Sequence, residues 1–179
     1  MYQYVTEAQR EHCRAGRATH RAWVMRLIPR FHEYYVGNLR AHLGKAPGGA
    51  ESHWQVAFGA MDRAHSGSET VRGLLFGVAA HIEDDLPRAL AEVYRRHYAG
   101  RCDFVRFRAD YLLMASIFQR ASERLVAEMP SDFLPLYLRV LEPVLPIEVK
   151  NNILNRYYDV PRKREQAFER GARLASWLG

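Results

Sequence analysis

The 179-residue chain is 48% hydrophobic and 12% aromatic, which excludes a disordered protein and supplies apolar surface for a core without disulfides or a structural metal. Its net charge of +6 raises a nucleic-acid reading. The basic residues, however, are spread over every segment, and the densest clusters, Arg95-Arg96 and Arg162-Lys163-Arg164, are offset by Glu92, Asp159, Glu165 and Glu169, the pattern of a solvated surface.

No apolar run approaches the roughly 20 residues of a membrane span, and Met1 to Thr19 carries charges with no apolar centre. A cytoplasmic protein without membrane or nucleic-acid partners is expected. Cys13 and Cys102 form neither a disulfide framework nor a zinc spacing.

Runs of alternating β-branched and polar residues between turn signals are missing, so the expected fold class is all-α: one compact domain over 1–179, built from seven to nine helices. In chain order the helices are expected over Thr6–Leu27, Pro29–Leu43, Glu51–Ala64, Ser68–Asp84, Pro87–Tyr98, Phe104–Glu128, Asp132–Leu141, Ile147–Tyr157 and Arg162–Leu178. Ser66 followed by Glu69 reads as a capping box, Pro130-Ser131-Asp132 as another helix start, and Pro161 as a first-turn proline. Gly44 to Ala50, with three glycines and a proline, suits either a plain connector or a mobile loop beside a site.

Polar groups on apolar faces mark the candidate site. At about 100° per residue, Val71, Leu74, Leu75, Val78 and Ile82 form one stripe, and His81 and Asp85 fall at its edge, one turn apart. A carboxylate at the rim of a core needs a partner. Two readings fit: Asp85 caps a helix restarting at Leu86, or it orients His81 as a carboxylate orients a catalytic base. Asp110 lands in mid-stripe among Phe107, Leu113, Met114, Ile117, Phe118, Ala121 and Leu125. Its partner is either an arginine such as Arg72, Arg88 or Arg106, or the His81 centre. His32, Tyr35, Leu39, His42 and Leu43 share a third face with Asn38 beside it, so His32, Tyr35 and Asn38 are candidate substrate contacts. His53, next to Trp54, is expected to be partly exposed.

Phosphate-binding loops, dinucleotide fingerprints, nucleophile elbows, paired Glu-x-x-His motifs and His-Glu-x-x-His are all absent from the sequence.

The stretch from Gly77 to Leu90, with Ala80-His81-Ile82, Asp85-Leu86-Pro87 and Ala89-Leu90 at its centre, resembles the signature helix of an uncharacterised bacterial family of helical domains, roughly Gly-Met-Asn-Ala-His-Ile-Asn-x-Asp-Leu-Pro-x-Ala-Leu. Asp110-Tyr111 is similar to a second motif of that family, an Asp followed by an aromatic and then Val-Asn. Phe31 and Tyr34-Tyr35 ahead of Trp54 look like a third. The family's asparagines around the histidine are Ala79 and Glu83 here, and Ala115 stands near the later one, so fewer pocket amides remain. The resemblance implies a bacterial origin and no established activity; a place in specialised-metabolite biosynthesis is a further expectation.

The expected function is an enzyme acting on a small, largely apolar organic molecule between helices, by cyclisation, isomerisation or elimination, without a cofactor. His81 is the expected general acid/base, Asp85 its orienter, and Asp110 a second acid/base or charge stabiliser. The first alternative is a hydrolase in which His81, Asp85 and Asp110 hold one divalent metal ion. The second is a non-catalytic binding or interaction protein.

Overall fold

The computed structural model describes residues 2–128 and 158–177, and among these it is all-helical, with no strand. Seven α-helices are described: α1 (Tyr2–Arg14), α2 (Arg21–His42), α3 (Ser52–Asp62), α4 (Gly67–Ala79), α5 (Leu86–His97), α6 (Arg108–Glu128) and α7 (Val160–Ser176). A π-helical turn over Ala80–Asp85 joins α4 to α5, and a 3₁₀ turn over Phe104–Phe107 leads into α6. The helices expected over 132–141 and 147–157, and the start at Pro130-Ser131-Asp132, lie outside the described residues. No described helix is long and apolar enough to cross a membrane.

The boundaries of the first two helices differ from expectation. The single helix expected from Thr6 to Leu27 is broken at Gly16, whose φ of 70° is a left-handed conformation that glycine adopts at little cost. Pro29, expected to start a helix, instead lies inside α2. A mid-helix proline sacrifices one backbone hydrogen bond, but Trp23, Val24, Leu27, Ile28, Tyr34 and Asn38 bury one face of α2 across it, and that burial outweighs the lost bond.

Local start signals behave as the sequence implied. The Ser66 hydroxyl accepts from Glu69 N–H at 3.3 Å, and the Glu69 carboxylate reaches back to His65 N–H at 2.8 Å. Asp159 accepts from Arg162 N–H at 3.1 Å, with Pro161 in the first turn of α7.

The junction between α4 and α5 carries the site. A break between Asp84 and Pro87 was expected; the chain passes through without one. Leu86 N–H reaches five residues back to His81 O, which defines the wider π turn. Pro87 cannot donate to the carbonyl four residues earlier, that of Glu83. Arg170 Nη1 from α7 meets that oxygen at 2.5 Å, and Lys163 Nζ holds the Glu83 carboxylate at 3.0 Å. Arg170 thus supplies the donor that the proline removes, and Lys163 ties the same residue's side chain to α7.

Packing pairs α5 with α7, α3 with α4, α1 with α6 and α2 with α5. One buried cluster centres on Trp23, Leu86, Leu90, Phe107, Ile117 and Phe168, and a second on Ala50, Trp54, Ala57, Phe58 and Ala80. At Gly171 a Cβ would lie 3.0 Å from Leu90 Cβ and 3.2 Å from Pro87 O, so α7 approaches α5 as closely as a bare backbone permits. Leu113, expected on the buried stripe of α6, is 45% exposed. The buried face is instead carried by Phe107, Asp110, Tyr111, Met114 and Ile117.

Candidate functional site

His81 and Asp85 both lie in the π turn, four residues apart, and their side chains meet: Nδ1 is 2.9 Å from Oδ2. Asp85 is fully buried. It makes no capping bond to α5, so the reading of Asp85 as a helix cap is not the one the structure adopts. Oδ2 also accepts from Trp54 Nε1 at 2.9 Å, and Oδ1 lies 3.2 Å from His53 Nε2. The Arg88 guanidinium, held on Glu51 at 2.5 and 3.2 Å, stands 4.0 Å from Oδ1. Converging donors and a nearby cation compensate a carboxylate that burial alone would disfavour.

The His81 ring stacks on Phe31 with centroids 3.5 Å apart and planes within 7°. Tyr35 and Trp54 close around it at 6.2 and 5.7 Å. Burial pushes the His81 imidazole below its ordinary pKa; Asp85 opposes that shift, while the neighbouring His32 and His53 add to it. A carboxylate only accepts, so the neutral ring places its proton on Nδ1 and its lone pair on Nε2. That is the protonation state of a general base oriented by a carboxylate.

His81 lies on the wall of a cavity of about 560 Å³ to which every described helix contributes. The cavity runs along the seam between the two buried clusters: Leu27, Ile82 and Leu86 line it from one, and Trp54, Ala57 and Phe58 from the other. Leu74 and Val78 of α4 line it too, which accounts for a stripe that is half-buried rather than packed. Polar groups, among them Gln9, Tyr35, His42, Asp62, His81 and Arg164, are outnumbered by apolar ones. The size and this balance are those of small-molecule sites.

Asp110 does not join His81 and Asp85. Its oxygens accept from Thr19 N–H at 2.8 Å and His20 N–H at 2.6 Å, and Oδ2 lies 2.9 Å from His20 Nδ1. Arg106 Nε in turn donates to His20 Nε2 at 3.1 Å. The carboxylate caps the start of α2 from across the fold, where His20 offers no side-chain cap of its own. Neither a buried arginine nor the His81 centre is its partner. Asn38 is likewise occupied: Nδ2 donates to Tyr34 O at 2.9 Å and Oδ1 accepts from Glu51 N–H at 2.7 Å, pinning the end of the Gly44–Ala50 loop to α2.

Of the other expected contacts, Tyr35 lines the cavity. His32 sits beside Tyr35, with ring centroids 6.3 Å apart, and adds to the downward shift of His81. Among the described residues, no group of three or more His, Cys, Asp or Glu side chains is arranged to hold a metal ion.

Sequence reasoning missed Trp54 and His53 as partners of Asp85, and Arg164 as a cavity residue. A buried Trp N–H demands an acceptor, a signal that says Trp54 has a partner but not which one. Arg164 stands in the Arg162-Lys163-Arg164 cluster that was expected to be solvated; its exposure is 6%.

The fold and site define an all-helical protein with a buried His–Asp pair on an apolar cavity. The chain belongs to the family of unknown function DUF5995, whose match covers residues 1–176. No curated protein and no solved structure matches it.

Proposed function

We propose that this protein binds a small, largely apolar organic molecule in the interhelical cavity and transforms it by proton transfer at His81. The observation that carries this reading is the His81 Nδ1 to Asp85 Oδ2 contact of 2.9 Å on the wall of the cavity of about 560 Å³. Asp85 fixes the ring as the Nδ1–H tautomer, so Nε2 is the nitrogen that takes a proton from the bound molecule and returns it at a second position. Cyclisation, isomerisation and elimination are the reactions such a base serves without a redox partner. Asp85 stabilises the imidazolium formed in passing, and the stack on Phe31 holds the ring plane.

Asp110 has no part in this chemistry, because its oxygens are spent on the start of α2. The metal-dependent alternative required Asp110 as a third ligand and loses its support for the same reason. The bacterial origin and the signature around His81 are part of this proposal and rest on the likeness of Gly77 to Leu90 to the family pattern.

The test uses 5-nitrobenzisoxazole, an apolar carbon acid whose N–O bond breaks as a base removes its ring proton. The wild type is expected to accelerate that elimination above free imidazole at equal concentration, and His81→Gln to abolish the acceleration. Equal rates for the two proteins, or no acceleration by the wild type, overturn the assignment.

A further inference from the structure

The cavity is lined by a buried cation that no described carboxylate neutralises. Arg164 is 6% exposed and lines the cavity from the second turn of α7. Its side chain makes one hydrogen bond, from Nη2 to Tyr111 O at 3.1 Å, and lies over the Tyr111 ring at 4.5 Å. Its Nε is buried with no acceptor, and no described carboxylate pairs with the guanidinium. By contrast, Arg30 pairs with Glu92, Arg88 with Glu51, Arg108 with Glu165 and Lys163 with Glu83, all at more exposed positions. A guanidinium keeps its charge inside proteins, and a buried charge without a counter-ion is strongly unfavourable. Its position is over-determined by its neighbours, because Tyr111 OH donates to Arg164 O at 2.5 Å while the Arg164 side chain returns a bond to Tyr111 O. That Tyr111 hydroxyl, pushed up to about 12 by burial, remains a donor.

The geometry points to Arg164 as the anchor for a carboxylate, and so to an amphipathic organic acid, an apolar body bearing one carboxylate, as the ligand class of the cavity. This rests on the reading of the cavity as a small-molecule site and adds its polarity. The planar guanidinium fork matches a carboxylate, and the aromatic wall of Phe31, Trp54 and Phe58 receives the apolar body. The one acidic residue of the lining, Asp62, is 62% exposed and pairs with His42 at 3.1 Å. The carboxylate therefore goes to Arg164 and away from Asp62. With the acid so anchored, the part of the molecule that meets His81 lies along its apolar body and not at its charged end.

The experiment compares octanoate with 1-octanol, equal in chain length and unequal in charge, by titration calorimetry on the wild type, Arg164→Met and Arg164→Lys. The wild type is expected to bind octanoate at least about tenfold more tightly than octanol, the gain of a desolvated charge-assisted bond. Arg164→Met should lose that preference and keep octanol binding, which also reports that it folds, whereas Arg164→Lys should keep part of it. In the wild type the Arg164 Nε–H resonance should move with octanoate and not with octanol, a response that a purely structural arginine would not give. Equal affinities for the two probes in the wild type, or a preference that survives in Arg164→Met, overturns the anchor while leaving the cavity site intact. Binding of neither probe overturns the cavity site itself, and the anchor with it.

Discussion

Acidification from pH 7.5 to pH 5 is expected to weaken the fold through His81. In the folded protein burial holds this imidazole below its ordinary pKa, against the pull of Asp85, whereas in the unfolded chain it takes up a proton near pH 6.5. Above pH 6.5 both states carry a neutral ring and His81 adds no pH dependence. Between the unfolded and folded pKa values the unfolded chain holds one more proton, so the unfolding free energy drops as pH falls, by at most about 1.4 kcal/mol per pH unit. Below the folded pKa the slope vanishes, because both states are then protonated. That drop is measurable against the 5–15 kcal/mol typical of a domain's total stability.

His97 is also held below its ordinary value, by desolvation and then by Arg26, Arg96 and Arg101, so it contributes a slope of the same sign and serves as the comparison. Glu69 and Glu92 are shifted down from 4.5 and titrate below this window. Urea denaturation of the wild type, His81→Gln and His97→Gln at pH 7.5, 6.5, 5.5 and 5.0 resolves the contribution. The His81→Gln profile should be flatter than the wild type by up to one proton's slope, and His97→Gln should flatten it less, because His97 sits nearer solvent. A His81→Gln profile that parallels the wild type would refute the buried, neutral imidazole.

Asp85→Asn keeps the shape but replaces a charged acceptor of the Trp54 and His81 bonds with a neutral one, a loss of about 2 kcal/mol in urea denaturation; no loss would mean that the buried carboxylate is not held by those donors. Asp110→Asn turns an amide N–H toward one of the Thr19 and His20 donors and should cost about 2 kcal/mol while leaving the His81 ring resonances unmoved; a change at His81 would place Asp110 in its site after all. In Gly171→Ala the new Cβ meets Leu90 Cβ at 3.0 Å and Pro87 O at 3.2 Å; overpacking of about 1–3 kcal/mol exceeds the helical gain of about 1 kcal/mol, so thermal melting should show a lower Tm.

What could be read from sequence was what depends on near neighbours. The helix starts at Ser66 and Asp159 are set by side chains that cap their own next turn, and the His81–Asp85 contact follows from spacing on one helical face. The break at Gly16 and the continuity through Pro29 depend on which faces find a core, which no local pattern states. The π turn was invisible for a related reason: the Glu83 carbonyl freed by Pro87 is satisfied by Arg170, on a helix that returns 87 residues later.

The polar residues divide in the same way. That Asp85 and Asp110 are buried was legible from their stripes, but their partners were not. Trp54 and His53 reach Asp85 from 31 and 32 residues away, and Asp110 is used by backbone N–H groups 90 and 91 positions earlier. Asn38, with its amide facing a loop, and Arg164, inside a run of charges, show the limit from both sides. A polar residue beside an apolar stripe can be structural, and a charged residue in a charged run can face a cavity.

The most direct test of the central claim is ¹⁵N NMR of histidine-labelled protein at pH 7.5, titrated with octanoate. The account predicts that His81 is neutral with its proton on Nδ1, and that its Nε2 resonance moves as the cavity fills while the His20 ring stays still. A His81 ring that is protonated, carries its proton on Nε2, or does not respond when calorimetry shows octanoate bound would contradict it.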